Sequence, residues 1–121
     1  MKVADSSFLA EALLKKGQLF KEEDSFLTVD LAVHEVSSAI WKHQYLLKDL
    51  EDGLPLIAIL YGLIDSGKIR VVRAGRGLME RAYAMAGGKG CSMYDAIFVA
   101  LAQELRCQLA TFDKNQASLM M

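Results

Sequence analysis

Short apolar runs alternate along this chain with longer stretches in which apolar residues recur every three or four positions. The short runs, Lys2 to Ala4, Ser25 to Val29, Ile69 to Val72 and Gln108 to Thr111, read as strands. Ser7 to Lys16 reads as an amphipathic helix, and Leu31 to Leu50 as a long one with Val33, Val36, Ile40, Leu47 and Leu50 on its core stripe and Asp30 as its cap. Pro55 suits the first turn of a further helix running to Ile64, which Gly67 closes before the third strand. Leu78 to Ala86 is expected to be helical. Met93 to Leu105 carries the clearest helical pattern, with Ser92 as cap, Ala96, Ile97, Ala100, Leu101 and Leu105 on one side, and no glycine or proline inside. Strands alternating with helices predict an α/β fold, a central parallel sheet between helical layers.

Composition narrows the picture. The chain has 121 residues, 53% of them hydrophobic, enough for one compact domain and too few for a second. With 14 basic and 15 acidic residues it is no polycation, so nucleic-acid binding has to come from a local patch. Asp5 interrupts the apolar start, which speaks against a secretory leader. The longest apolar stretch, Leu54 to Ile64, is far short of the roughly 20 residues that span a bilayer, so a cytoplasmic protein is expected. Cys91 and Cys107 lack any CxxC spacing, which argues against a disulfide framework or a zinc site.

The candidate chemistry lies in carboxylates where strands hand over to helices: Asp5 after the first strand, Glu35 in the second helix, Asp95 in the first turn after Ser92, and Asp113 after the last strand. Each has an ordinary explanation. Asp5 and Asp113 are good helix caps, with Gln116 completing a capping box, Asp95 stands at capping-box distance from Ser92, and Glu35 fits a solvated helix flank. Jointly they say more. In an open parallel sheet the carboxyl ends of the strands form one edge, where functional groups collect. Carboxylates gathered there repel, and they either take up protons or bind a divalent cation. An all-oxygen set suits Mg²⁺ or Mn²⁺, and the corresponding chemistry is phosphodiester hydrolysis without a covalent enzyme intermediate. Neither His34 nor His43 stands in a nucleophile motif.

These segments, Val3-Ala4-Asp5-Ser6-Ser7, Ala32-Val33-His34-Glu35-Val36, Ser92-Met93-Tyr94-Asp95-Ala96 and Ala110-Thr111-Phe112-Asp113-Lys114, together resemble the PIN-domain family, and most closely its VapC-type toxins. The match runs nearly the whole length, and Ser92 to Asp113 is its most specific part. The resemblance implies a three-layer α/β/α sandwich and an endoribonuclease using Mg²⁺ or Mn²⁺. Asp5, Glu35, Asp95 and Asp113 would be the metal-binding acids, supported by the hydroxyls of Ser6, Ser7 and Thr111. It further implies a homodimer neutralised by a VapB-type antitoxin. The chain stops at Met121, where many relatives continue into a further strand, so the last edge strand is expected to be missing.

Two surface features fit such partners. Lys68, Arg70, Arg73, Arg76, Arg81 and Lys89 face only Glu80 within their segment, a candidate phosphate-tracking surface or a solvated helix face. Trp41 and Tyr45, one turn apart off the apolar stripe, suit a partner contact if exposed, and the Leu54 to Ile64 helix is the neighbour that would otherwise cover them. The glycines fail as nucleotide motifs: Gly75-Arg76-Gly77 lacks a third glycine, and Gly88-Lys89 is followed by Gly90 rather than Ser or Thr. Gly87 to Gly90 instead reads as a flexible loop. Two other classes compete with the nuclease. A PIN-fold scaffold would bind RNA or protein without cutting, and a receiver-like domain would need a phosphoacceptor Asp at the end of a middle strand, which Ile69 to Val72 does not offer.

Overall fold

The computed structural model describes residues 1–15, 17, 18 and 20–120. Lys16, the expected end of the first helix, and Met121, the expected terminus, lie outside the described residues. Four parallel strands, β1 (Lys2–Ala4), β2 (Phe26–Val29), β3 (Ile69–Val72) and β4 (Gln108–Ala110), form one sheet in the order β3-β2-β1-β4. They stand where the hydrophobic pattern places them. β2 is buried at all four positions, as an inner strand covered on both faces must be.

Helices cover both faces, and the side-chain alternation of the strands divides the core accordingly. On one face α1 (Ser6–Leu14), α2 (Asp30–Tyr45) and α3 (Leu54–Asp65) pack through Leu9, Leu13, Val36, Ile40, Leu56 and Leu60 onto Ala4, Phe26 and Ile69. On the other, α4 (Arg76–Lys89) and α5 (Met93–Leu105) pack through Leu78, Ala82, Ile97 and Leu101 onto Val3, Leu27 and Val29. A short α6 (Lys114–Ser118) follows β4. This is the expected α/β/α sandwich. Residues Ala96 to Ala102 of α5 are all buried, which its run of small and apolar side chains permits.

Connectivity positions the site. The chain runs outward from β1 to β2 to β3, then returns past α4 and α5 to lay β4 on the opposite side of β1. The order therefore reverses between β1 and β4, and a crevice opens beyond their carboxyl ends.

Three local expectations need correction. The second helix ends at Tyr45, five residues before Leu50. Leu46 caps it, Lys48 turns left-handed at φ 56°, and Asp49 Oδ1 meets His43 Nδ1 at 2.8 Å. Leu47 is therefore exposed and off the stripe, while Leu50 still packs on the core from the following loop. Asp30 is the first helical residue, and Val29 holds the cap position. Gly87, Gly88 and Lys89 belong to α4, so the expected flexible loop is helix up to Gly90, whose φ of 67° closes it in the left-handed conformation that glycine adopts without strain.

Candidate active site

Parallel pairing of β1 with β4 is in register from Lys2↔Gln108 to Ala4↔Ala110, and Asp5 N–H donates to Ala110 O at 3.2 Å. That register brings Asp5 beside Thr111. Asp5, only 3% exposed, caps α1 by accepting Phe8 N–H at 2.9 Å on Oδ1. The same oxygen accepts from Ser7 Oγ at 2.8 Å, and Oδ2 accepts from Thr111 Oγ1 at 2.5 Å. Each hydroxyl also ties down the loop after β4: Ser7 Oγ accepts Phe112 N–H at 3.1 Å, and Thr111 Oγ1 accepts Asp113 N–H at 2.9 Å. A buried carboxylate with three such bonds is held at one orientation.

The other acids arrive from helix starts. Ser92 Oγ caps α5 by accepting Asp95 N–H at 3.0 Å, and Asp113 Oδ1 caps α6 through Asn115 N–H and Gln116 N–H at 2.9 and 3.1 Å. The N-caps expected of Asp5, Ser92 and Asp113 are present, but among the described residues neither capping box closes with a return bond to its cap residue's N–H. Gln116 does not reach back to the Asp113 N–H, which Thr111 already serves, and its side chain turns inward to Asp95 instead. Glu35 is exposed on α2 and accepts a short hydrogen bond from Ser6 Oγ. An open groove lined by Ser6, Ser7, Glu35 and Ser38 runs between α1 and α2.

The acids act on one another electrostatically. Burial first, then the charge of Asp113, with lesser parts from Asp5 and Glu35, holds the Asp95 carboxyl above the usual carboxylate range, against a lowering by the Ser92 hydroxyl. Asp113, Asp5 and Glu35 thus all act on Asp95 at the β1/β4 crevice. They do not close up: among the described residues no three His, Cys, Asp or Glu side chains stand close enough to hold a metal ion. In kind, the donors fit a hard divalent cation, being carboxylates and hydroxyls throughout. The unrelieved repulsion on Asp95 is what such a cation would remove.

Tyr94 is a neighbour that the reading of the acids did not pick out, although it precedes Asp95 in the sequence. Its hydroxyl is buried beside Glu35 and Ser6, with no partner in hydrogen-bonding geometry among the described residues. Burial, and then the Glu35 carboxylate, push the phenol far above its usual range, so it stays a proton donor. Phe112 is the second such residue, exposed between Thr111 and Asp113 and stacked on Phe8 at 5.7 Å and 16°.

The basic segment is less free than its composition suggests. Lys68 Nζ donates to the carbonyls of Lys21 and Asp24 at 2.5 and 2.8 Å and closes the loop before β2. Arg76 pairs with Glu80 at 3.0 Å, Arg81 with Glu104 at 2.5 Å, and Lys89 Nζ donates to Leu119 O at 3.3 Å. Arg70 and Arg73 are exposed and make no ion pair among the described residues, and Arg73 follows β3 at the same sheet edge as the acids. Trp41 and Tyr45 are 52% and 57% exposed, with rings 5.8 Å apart, so α3 does not cover them.

The chain can now be set beside known proteins. The PIN domain family model matches residues 2–119, and the chain belongs to the PIN-domain family. Over 92 residues it is 34% identical to Ribonuclease VapC3 of Pyrobaculum aerophilum, covering 74% of this chain and 67% of that protein. The fold superposes on PAE2754 of the same organism with a TM-score of 0.78 at 19% identity, covering 98% of this chain and 83% of that one. It superposes on VapC20 of Mycobacterium tuberculosis, a sarcin–ricin loop cleaving toxin, with a TM-score of 0.70 at 17% identity, covering 98% and 94%.

Proposed function

We propose that this protein is a VapC-type endoribonuclease that hydrolyses RNA phosphodiester bonds with Mg²⁺ or Mn²⁺, and that it is the toxin of a toxin–antitoxin pair acting in the cytoplasm. The observation that supports the reading is that Asp113, Asp5 and Glu35 all act on Asp95, with Asp5 and Asp113 following the two strands at the switch point of a PIN-family sheet. Asp5, Asp95 and Asp113 are the proposed metal ligands, with Glu35 completing the set. When bound, the cation neutralises charge on the phosphate and makes a coordinated water a better nucleophile. Ser7 and Thr111 keep Asp5 oriented, and Ser6 orients Glu35, beside which the Tyr94 phenol is buried. Arg73 and Arg70 offer phosphate contacts that no acid among the described residues occupies, and Arg76, Arg81 and Lys89 are secondary candidates that would exchange an internal partner for RNA.

The protein partners in this reading are a VapB-type antitoxin and a second copy of the chain. Exposed Trp41, Tyr45 and Leu54 lining one groove support a partner contact. The competing reading is a PIN-fold scaffold that binds without cutting, and the separation of the acids is the observation in its favour. Cleavage of a mixed RNA panel with Mg²⁺, with Mn²⁺ and with EDTA, by wild type and by Asp95→Asn, distinguishes them. The nuclease cuts only with metal, and the variant loses at least about a hundredfold in rate. Equal cutting by the variant would remove Asp95 from the site, and a folded, metal-supplied wild type that cuts nothing would favour the scaffold.

A further inference from the structure

We propose that Gln116 is a positioning residue that holds Asp95 and Asp113 as a pair and thereby sets the affinity of the site for its cation. The proposal rests on the reading of those acids as metal ligands. Gln116 is 2% exposed, at the third position of α6, where an apolar side chain would be the ordinary choice for a covered site. Its backbone N–H donates to Asp113 Oδ1 at 3.1 Å, while its side-chain Nε2 donates to Asp95 O at 3.2 Å and to Asp95 Oδ1 at 3.3 Å. One residue therefore grips both carboxylates, one through the main chain and one through the side chain.

Two further observations separate this from packing. The amide oxygen Oε1 is buried with no hydrogen-bond partner among the described residues, a burial of polarity that an apolar side chain of similar size would avoid. The N3 position of a helix capped by Asp113 also has a local use for glutamine, bonding back to the cap residue's N–H, and Thr111 has taken that role. The amide is thus free to turn toward Asp95. A donor placed beside both acids lowers their repulsion and keeps them near each other until a cation arrives. Outer groups that orient ligands in this way typically change metal affinity or activity by about 10–100-fold when removed.

The test is calorimetric titration of wild type, Gln116→Met and Gln116→Leu with Mn²⁺, together with the melting temperature of each without metal. Both variants keep the volume and lose the amide. The expected result is a Mn²⁺ dissociation constant raised about tenfold or more, with a metal-free melting temperature equal to or above that of wild type. Unchanged Mn²⁺ affinity in a folded variant would overturn the proposal. So would failure of both variants to fold, which would make Gln116 structural. If wild type itself bound no Mn²⁺, the reading of the acids as ligands would fall first and this proposal with it.

Discussion

At the scale of single residues the site depends on hydroxyls as much as on acids. Thr111 Oγ1 both donates to Asp5 and accepts from the Asp113 backbone. Thr111→Val keeps the shape and removes both bonds, so cleavage should fall about 10–100-fold and the metal concentration for half-maximal rate should rise. A metal titration of the cleavage rate checks both effects, and an unchanged profile would show that Asp5 needs no such support. Asp95 has a consequence for stability as well. Its folded-state carboxyl lies above the ordinary 3.8, so its contribution to stability is present below that value and is lost as pH rises through the raised one. At neutral pH the charged form strains the metal-free fold, and Asp95→Asn should relieve it by less than about 1 kcal/mol, given the residue's partial exposure. Metal-free melting curves from pH 4 to 8 should show the variant gaining on wild type as pH rises. A variant that melted lower throughout would contradict the assigned repulsion. The acids were legible in the sequence because strand ends and helix starts are marked by local pattern. Gln116 was legible only as a cap, because nothing local reveals that its side chain meets Asp95, 21 positions earlier. Tyr94 escaped for a related reason: its significance comes from Glu35 and Ser6, distant in sequence.

At the scale of elements the order and type of strands and helices followed from periodicity, and the errors arose where periodicity continued past the real boundary. Leu47 and Leu50 prolong the α2 stripe on paper, yet the His43–Asp49 contact and left-handed Lys48 end the helix at Tyr45. The glycines near Lys89 suggested a loop, but α4 continues through them and only Gly90 takes a positive φ. The corner between α2 and α3 also carries a tight contact that no pattern shows. Gly53 is buried, its N–H donates to Gln44 Oε1 at 2.7 Å, and a Cβ there would lie 2.4 Å from Ile40 Cγ2. Gly53→Ala should destabilise the fold by about 1–3 kcal/mol through this overlap. Denaturant unfolding measures it, and a neutral result would mean that the corner yields freely.

At the scale of the whole molecule, charge and apolar surface are distributed to different ends of the function. The segment from Lys68 to Lys89 looked uniformly basic in sequence, but fold-dependent pairing with Glu80, Glu104 and backbone carbonyls leaves Arg70 and Arg73 as its unpaired cations among the described residues. Arg73→Ala should weaken RNA binding about equally across sequences and reduce the slope of log affinity against log salt by about one. Binding isotherms at several salt concentrations read this directly, and an unchanged slope would move the RNA path away from β3. In the proposed function a cation binds among Asp5, Asp95, Asp113 and Glu35. The most direct test is anomalous diffraction from crystals of the protein soaked in Mn²⁺. A peak within coordinating distance of Asp5, Asp95 and Asp113 is the expected result, and a fully occupied peak elsewhere, with none at these acids, would contradict it.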